Sequence, residues 1–294
     1  MERSTATSLL NLPLKNPVIV GSGLLTDSER LIRRFADIGA GAVVTKTLYP
    51  SHIDTRHENI YSLASGMLNN TTYSKRPFQQ WLQLLKAFAE ERLSIIVSVH
   101  AKTPQALAAM AEQIATVTDA PLELGISCPH DTAAGEDTAE RVFRYAEAVR
   151  RHTDAPFSVK LALGDDLTNR IEAAAAGGAQ ALTLSDTLSG LAFDPGTERP
   201  ALGGPCGYSG AGIKPLVLAA IYQLRKKGIA LPIIGSGGVQ YGRDVRDYLL
   251  AGADAVQLYT ALHYQCGKTL HRIIDEYRAI ACGMPAAPGL KKET

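Results

Sequence analysis

Eight short apolar runs rich in β-branched residues, at 17–20, 42–45, 94–99, 122–126, 157–161, 181–184, 232–234 and 255–258, recur along the chain and confine it to few architectures. Between most of them lie amphipathic stretches with helix punctuation. Thr26-Asp27-Ser28-Glu29 opens one that stops at Gly39, and Thr103-Pro104 opens another. Near-continuous hydrophobic strands separated by helices mean a parallel sheet covered by helices. Eight such units in 294 residues predict an α/β fold, a (β/α)8 TIM barrel built as a single domain over residues 1–294. A short segment, 1–15, precedes the barrel, and the tail 285–294 mixes Pro, Gly and Lys and is expected to fray. An open doubly wound sheet is the competing topology; no G-x-G-x-x-G opens a helix after the first strand to support it.

Composition narrows the function classes. With 46% hydrophobic and 20% charged residues the chain can bury a full core without disulfides or metal. Lys plus Arg (30) nearly cancels Asp plus Glu (29), so there is no basic surplus for a nucleic-acid backbone. No apolar stretch approaches the roughly 20 residues of a membrane span, and the first residues lack a signal-like apolar run, so a cytoplasmic protein without membrane or nucleic-acid partners is expected. The four cysteines, Cys128, Cys206, Cys266 and Cys282, lie far apart with no C-x-x-C pair, which argues against a zinc ribbon, an iron–sulfur cluster or a disulfide framework.

Two connections are too long to be plain turns. Residues 47–76 follow the second strand and 186–212 follow the sixth. Both leave the C-terminal ends of strands, where barrel enzymes keep their chemistry, and are expected to form loops or lids over a site rather than idle insertions. Gly235-Ser236-Gly237-Gly238 after the seventh strand, Tyr259-Thr260 after the eighth, and Gly210-Ala211-Gly212 before the Pro215 helix offer three sets of backbone amides suited to a phosphate. Lys46 and Lys160 sit at strand ends, where a cation needs an anion beside it unless it reaches solvent. A Schiff-base nucleophile is one use for such a lysine, and stabilising charge on a cofactor ring is another. Cys128, followed by Pro129 and next but one to His130, lies just past the fourth strand and suits acid/base work, although a buried inert thiol is the commoner fate. His52 and His57 fall in the long second connection and His100 ends the third strand; His152, His263 and His271 fall on helical segments. No histidine–carboxylate spacing suggests a metal.

With these pieces in order, the chain resembles the flavin-dependent dihydroorotate dehydrogenase family, including the pyrimidine-binding domain of dihydropyrimidine dehydrogenase. The motifs are NPVIVGSG (16–23), TKT (45–47), MLN (67–69), LELGISCPH (122–130), VKL (159–161), SDT (185–187), GAGIKP (210–215), PIIGSGGV (232–239) and GADAVQLYT (252–260). The resemblance implies FMN at the barrel mouth, its phosphate on Gly210, Gly237, Gly238, Tyr259 and Thr260 and its ring over Ser22 and Gly23. It implies Lys46, Thr47 and Lys160 beside the ring, with Cys128 as the acid/base group of the soluble, class 1 branch and Lys46 approaching the substrate. It also implies a homodimer, and electrons exchanged with a separate protein partner or a small-molecule acceptor.

Four asparagines normally surround the pyrimidine in this family, and their places hold Asn69, Gly125, His130 and Asp186, with Thr187 alongside. Gly125 lacks a side chain and an ionised Asp186 only accepts hydrogen bonds. The expectation is therefore an FMN-dependent oxidoreductase that exchanges hydride and proton across a C–C bond next to a carbonyl in a small cyclic amide, dihydropyrimidine-like, and is not efficient on dihydroorotate. The alternatives are a genuine class 1 dihydroorotate dehydrogenase, a Schiff-base aldolase using Lys160, or a catalytically dead flavin-binding protein.

Overall fold

In the computed structural model, which describes residues 7–51, 59–126 and 137–283, eight parallel strands close into a barrel. They are β1 (Val18–Val20), β2 (Ala42–Val44), β3 (Ile95–Val99), β4 (Leu122–Gly125), β5 (Phe157–Leu161), β6 (Ala181–Leu184), β7 (Ile233–Ser236) and β8 (Ala255–Leu258). Each is followed by a helix: α1 (Glu29–Ile38), α2 (Phe78–Glu90), α3 (Pro104–Ala115), α4 (Ala139–His152), α5 (Leu167–Ala176), α6 (Lys214–Lys226), α7 (Gly242–Ala251) and α8 (Cys266–Ala281). Neighbours in sequence are neighbours in the barrel, and β8 pairs with β1 to close it. The TIM barrel expected from the alternation of runs and helices is the fold. Local chemistry sets the helix ends. The Ser28 side chain accepts from the Leu31 N–H to cap α1, Gly39 ends it at φ 107°, and Thr103 caps α3 with Pro104 in its first turn. Among the described residues, no helix is long and apolar enough to cross a membrane.

Alternate strand residues face opposite ways, and the two faces build two cores. Val18, Val20, Val43, Val97 and Val159 pack outward with the helices. Ile19, Val44, Ile96 and Ile234 pack inward with the small Ala42, Ala181 and Ala255. This interior is plugged by a hairpin of Thr7–Leu9 and Leu12–Leu14, whose Leu9, Leu10 and Leu14 join it. Leu10 and Asn11 both take positive φ (53° and 60°), the pattern of a two-residue hairpin turn. The stretch 1–15 is thus more than a lead-in: from residue 7 it is a structural plug. Leu14→Ala is expected to destabilise the protein by about 2–5 kcal/mol, because it opens a cavity in a closed core. FMN affinity should be unchanged, since the plug is at the end opposite the mouth; denaturant unfolding with and without FMN checks both.

Nearer the mouth the interior turns polar, with Ser98, Glu123, Ser158, Thr183 and Gln257 buried. The two long connections differ from loose lids. Strands Ile60–Leu63, Gly66–Asn69, Cys206–Ser209 and Leu188–Gly190 form one antiparallel sheet, in the order 188–190, 206–209, 66–69, 60–63. The excursions satisfy each other's backbone groups instead of relying on water.

Candidate active site

At the C-terminal ends of the barrel strands lies a cavity of about 340 Å³, within the range of small-ligand sites. Ser22, Gly23, Lys46, Thr47, Asn69 and Gly125 line one part of it, and Lys160, Asp186, Thr187, Gly210, Gly237, Gly238, Tyr259 and Thr260 another. Fourteen residues singled out along the sequence are thereby brought to one place. Cys128 and His130, with His52 and His57, lie outside the described residues.

The strongest electrostatic feature is Lys160. Its Nζ lies 3.7 Å from Glu123 Oε1 and 3.9 Å from Asp186 Oδ1. Burial disfavours the ammonium, but the charges of Asp186 and Glu123 overcome that penalty and hold its pKa above the ordinary lysine value. A lysine kept protonated is a poor Schiff-base nucleophile, so this geometry opposes the aldolase reading. Asp186 also accepts from the Thr187 N–H at 2.8 Å. Its negative charge is therefore met from two sides within the protein.

The glycine turns are held together from behind. A Cβ on Gly238 would sit 2.7 Å from the Gly210 carbonyl oxygen, and one on Gly210 would sit 2.4 Å from the Gly66 Cα, so only glycine lets these backbones touch. Asp244 accepts from the Gln240 and Tyr241 N–H groups at 2.7 and 2.8 Å and pairs with Lys214, whose Nζ also reaches Asp247 at 2.9 Å. The Tyr248 hydroxyl donates to the Gly237 carbonyl at 2.6 Å. Thr260 Oγ1 donates to Ser209 Oγ at 2.9 Å, tying the end of β8 to the small sheet. On the other side, Gly23 lies against the Tyr259 ring, and the Tyr259 hydroxyl accepts from the Leu25 N–H at 3.0 Å. Ser22, Thr47 and Ser98 are joined by hydroxyl contacts of 3.3 and 2.9 Å.

Tyr73 and His100 also line the cavity. Tyr49, Tyr73 and His100 stack in sequence, with centroids 4.6 and 4.7 Å apart. His100 Nδ1 lies 2.8 Å from the Gly125 carbonyl oxygen; as that oxygen only accepts, Nδ1 carries the proton. A Cβ on Gly125 would meet nothing closer than 3.7 Å, so the position has room for a side chain it does not carry. Asn69 is held within its own sheet, its Nδ2 donating to the Gly207 carbonyl at 3.2 Å and its Oδ1 accepting from Thr71 Oγ1 at 3.0 Å. Cys206 is a buried strand residue.

Residues 4–280 match the model of the family described as dihydroorotate dehydrogenase. The chain belongs to the dihydroorotate dehydrogenase family. It is 34% identical over 281 residues to the catalytic subunit of dihydroorotate dehydrogenase B (NAD(+)) from Pyrococcus horikoshii, covering 93% of this chain and 91% of that one. The protein of the same description from Pyrococcus furiosus is 35% identical over 284 residues, covering 93% and 92%. Among solved structures, the dihydroorotate dehydrogenase of Eimeria tenella in complex with ferulenol superposes with a TM-score of 0.80 at 17% identity, covering 96% of this chain and 86% of that one. That last likeness speaks for the fold.

As a member of the dihydroorotate dehydrogenase family the chain is an FMN-dependent oxidoreductase acting on CH–CH groups. The residues present fit FMN: glycine turns packed too closely for any Cβ can bring amides to a phosphate, and two lysines border the same cavity. The expected preference for a dihydropyrimidine-like compound over dihydroorotate is overturned by relatives of this identity that are dihydroorotate dehydrogenases. Asp186 is not the bare acceptor its residue type suggests: Lys160 and the Thr187 N–H face its carboxylate.

Proposed function

We propose that this chain is the catalytic subunit of a dihydroorotate dehydrogenase, oxidising dihydroorotate to orotate and passing the electrons through a separate partner toward NAD(+). The observation that carries this is the 34–35% identity to such subunits over 93% of the chain. Every described residue of the expected site on one cavity agrees with it. In this reading the amides around Gly210, Gly237, Gly238, Tyr259 and Thr260 hold the FMN phosphate, and Ser22, Gly23, Lys46, Thr47 and Lys160 surround the ring. FMN, when bound, supplies the two-electron acceptor for hydride. Asn69, Gly125, His130, Asp186 and Thr187 surround the substrate, and Cys128 removes a proton from one carbon as the neighbouring carbon gives up hydride. Lys46, only 4% exposed at the cavity wall, offers a cation to the substrate carboxylate. A homodimer in the cytoplasm completes the proposal.

Anaerobic mixing tests it. Dihydroorotate should bleach the flavin with an efficiency above about 10⁴ M⁻¹s⁻¹, typical of an evolved enzyme, and release one orotate per FMN. FMN-loaded protein that stays yellow in millimolar dihydroorotate would sink the proposal.

A further inference from the structure

Beneath the cavity lies a carboxylate that none of these roles uses. Glu123 projects from β4 into the barrel and is fully buried. A buried carboxylate is unfavourable unless hydrogen-bonded and paired, and one oxygen of Glu123 is well provided for. Oε2 accepts from Thr183 Oγ1 at 2.9 Å and from Gln257 Nε2 at 2.6 Å. Oε1 has no hydrogen-bond partner among the described residues and faces Lys160 Nζ at 3.7 Å. In the β4–β5 register Gly125 is level with Lys160 and Glu123 with Ser158, so the carboxylate stands behind the ammonium, two residues deeper in the barrel.

We propose that Glu123 is a positioning residue, holding the Lys160 ammonium in place and, through it, lowering the reduction potential of the bound FMN. A lone ammonium favours added negative charge on the group it faces. Two carboxylates within 4 Å take back part of that field. Their shares differ, because the Asp186 side chain is 29% exposed and screened by water while that of Glu123 is 0% exposed and is not. Glu123 is thus a brake on Lys160 that water does not screen. The inference rests on the proposed place of Lys160 beside the cofactor and on no choice of substrate.

The test is the midpoint potential of FMN in the loaded enzyme, equilibrated with a redox dye. E123Q keeps the shape and an acceptor oxygen but loses the charge. At a fixed solution potential its ratio of reduced to oxidised flavin should rise about tenfold, which is about 30 mV for a two-electron couple. E123D keeps the charge and should stay within about threefold of the parent, whereas a merely structural role makes both variants fail alike. K160M should lower the ratio. In that background E123Q should add little, because the ammonium through which Glu123 acts is gone. A parent-like potential in E123Q alongside a shifted K160M overturns the inference alone; an unshifted K160M overturns it together with the placing of Lys160. Should E123Q fail to hold FMN, E123D decides: a reduced-to-oxidised ratio about tenfold or more from the parent's, beside a shifted K160M, overturns the inference.

Discussion

Cys128→Ala is expected to leave FMN bound and to slow its reduction by dihydroorotate roughly 10²- to 10⁴-fold, the usual worth of a positioned acid/base group. The carbon next to a carbonyl gives up its proton only to a base, and alanine offers none. In the sequence Cys128 follows the last residue of β4 by three positions. Serine should recover part of the rate, since a hydroxyl can accept the proton less readily than a thiolate. Anaerobic stopped-flow measurement of flavin bleaching decides it. The pH profile of the parent should carry one ionisation that is gone in the alanine variant, and equal rates in parent and variant would assign the thiol to packing.

Gly238→Ala should cost FMN affinity by about 10²-fold or more, through two effects that a control separates. The position has φ 70°, and its Cβ would meet the Gly210 carbonyl oxygen and the Lys214 Cβ, each at 2.7 Å. Positive φ alone costs a non-glycine residue on the order of 1–3 kcal/mol. The collision adds displacement of one glycine turn from the other, and amides that no longer converge lose their common ligand. Gly203→Ala isolates the first effect: φ is 83° there, but a Cβ would meet nothing within 4 Å. That variant should lose a little thermal stability and keep FMN binding. Fluorescence titration of the apoproteins with FMN, alongside thermal unfolding, gives both quantities. Equal FMN affinity in Gly238→Ala and the parent would dissociate this turn from the phosphate.

The barrel was readable because a parallel strand is buried on both faces and so writes an unbroken apolar run. The runs at 157–161, 181–184 and 255–258 coincide with β5, β6 and β8. The hairpin plug and the small sheet escaped such a reading for the opposite reason. Their strands have three or four residues, too few for a period, and Asn69 pairs with Gly207, a partner no local pattern announces. The lysines of the site were conspicuous as charges ending apolar runs. Glu123 carries a similar signal, a lone acid inside the apolar run Leu122–Gly125. Asp186 is visible in its motif, yet its chemistry depends on an ammonium 26 positions away in sequence, which no local pattern announces. The Asp244–Lys214 support of the glycine turns was hidden in the same way.

The small sheet over the cavity has a consequence for how such a protein can change over time. Because Gly66–Asn69 and Cys206–Ser209 share hydrogen bonds, and Gly210 rests on Gly66 without room for a methyl group, neither excursion has a length of its own. A deletion in one strips the ladder of the other and shifts Asn69 and Gly210 together. Grafting one of these segments from a relative should therefore give misfolded mouths, and grafting both as a matched pair should give working ones. The unit of inheritance at this site is the pair.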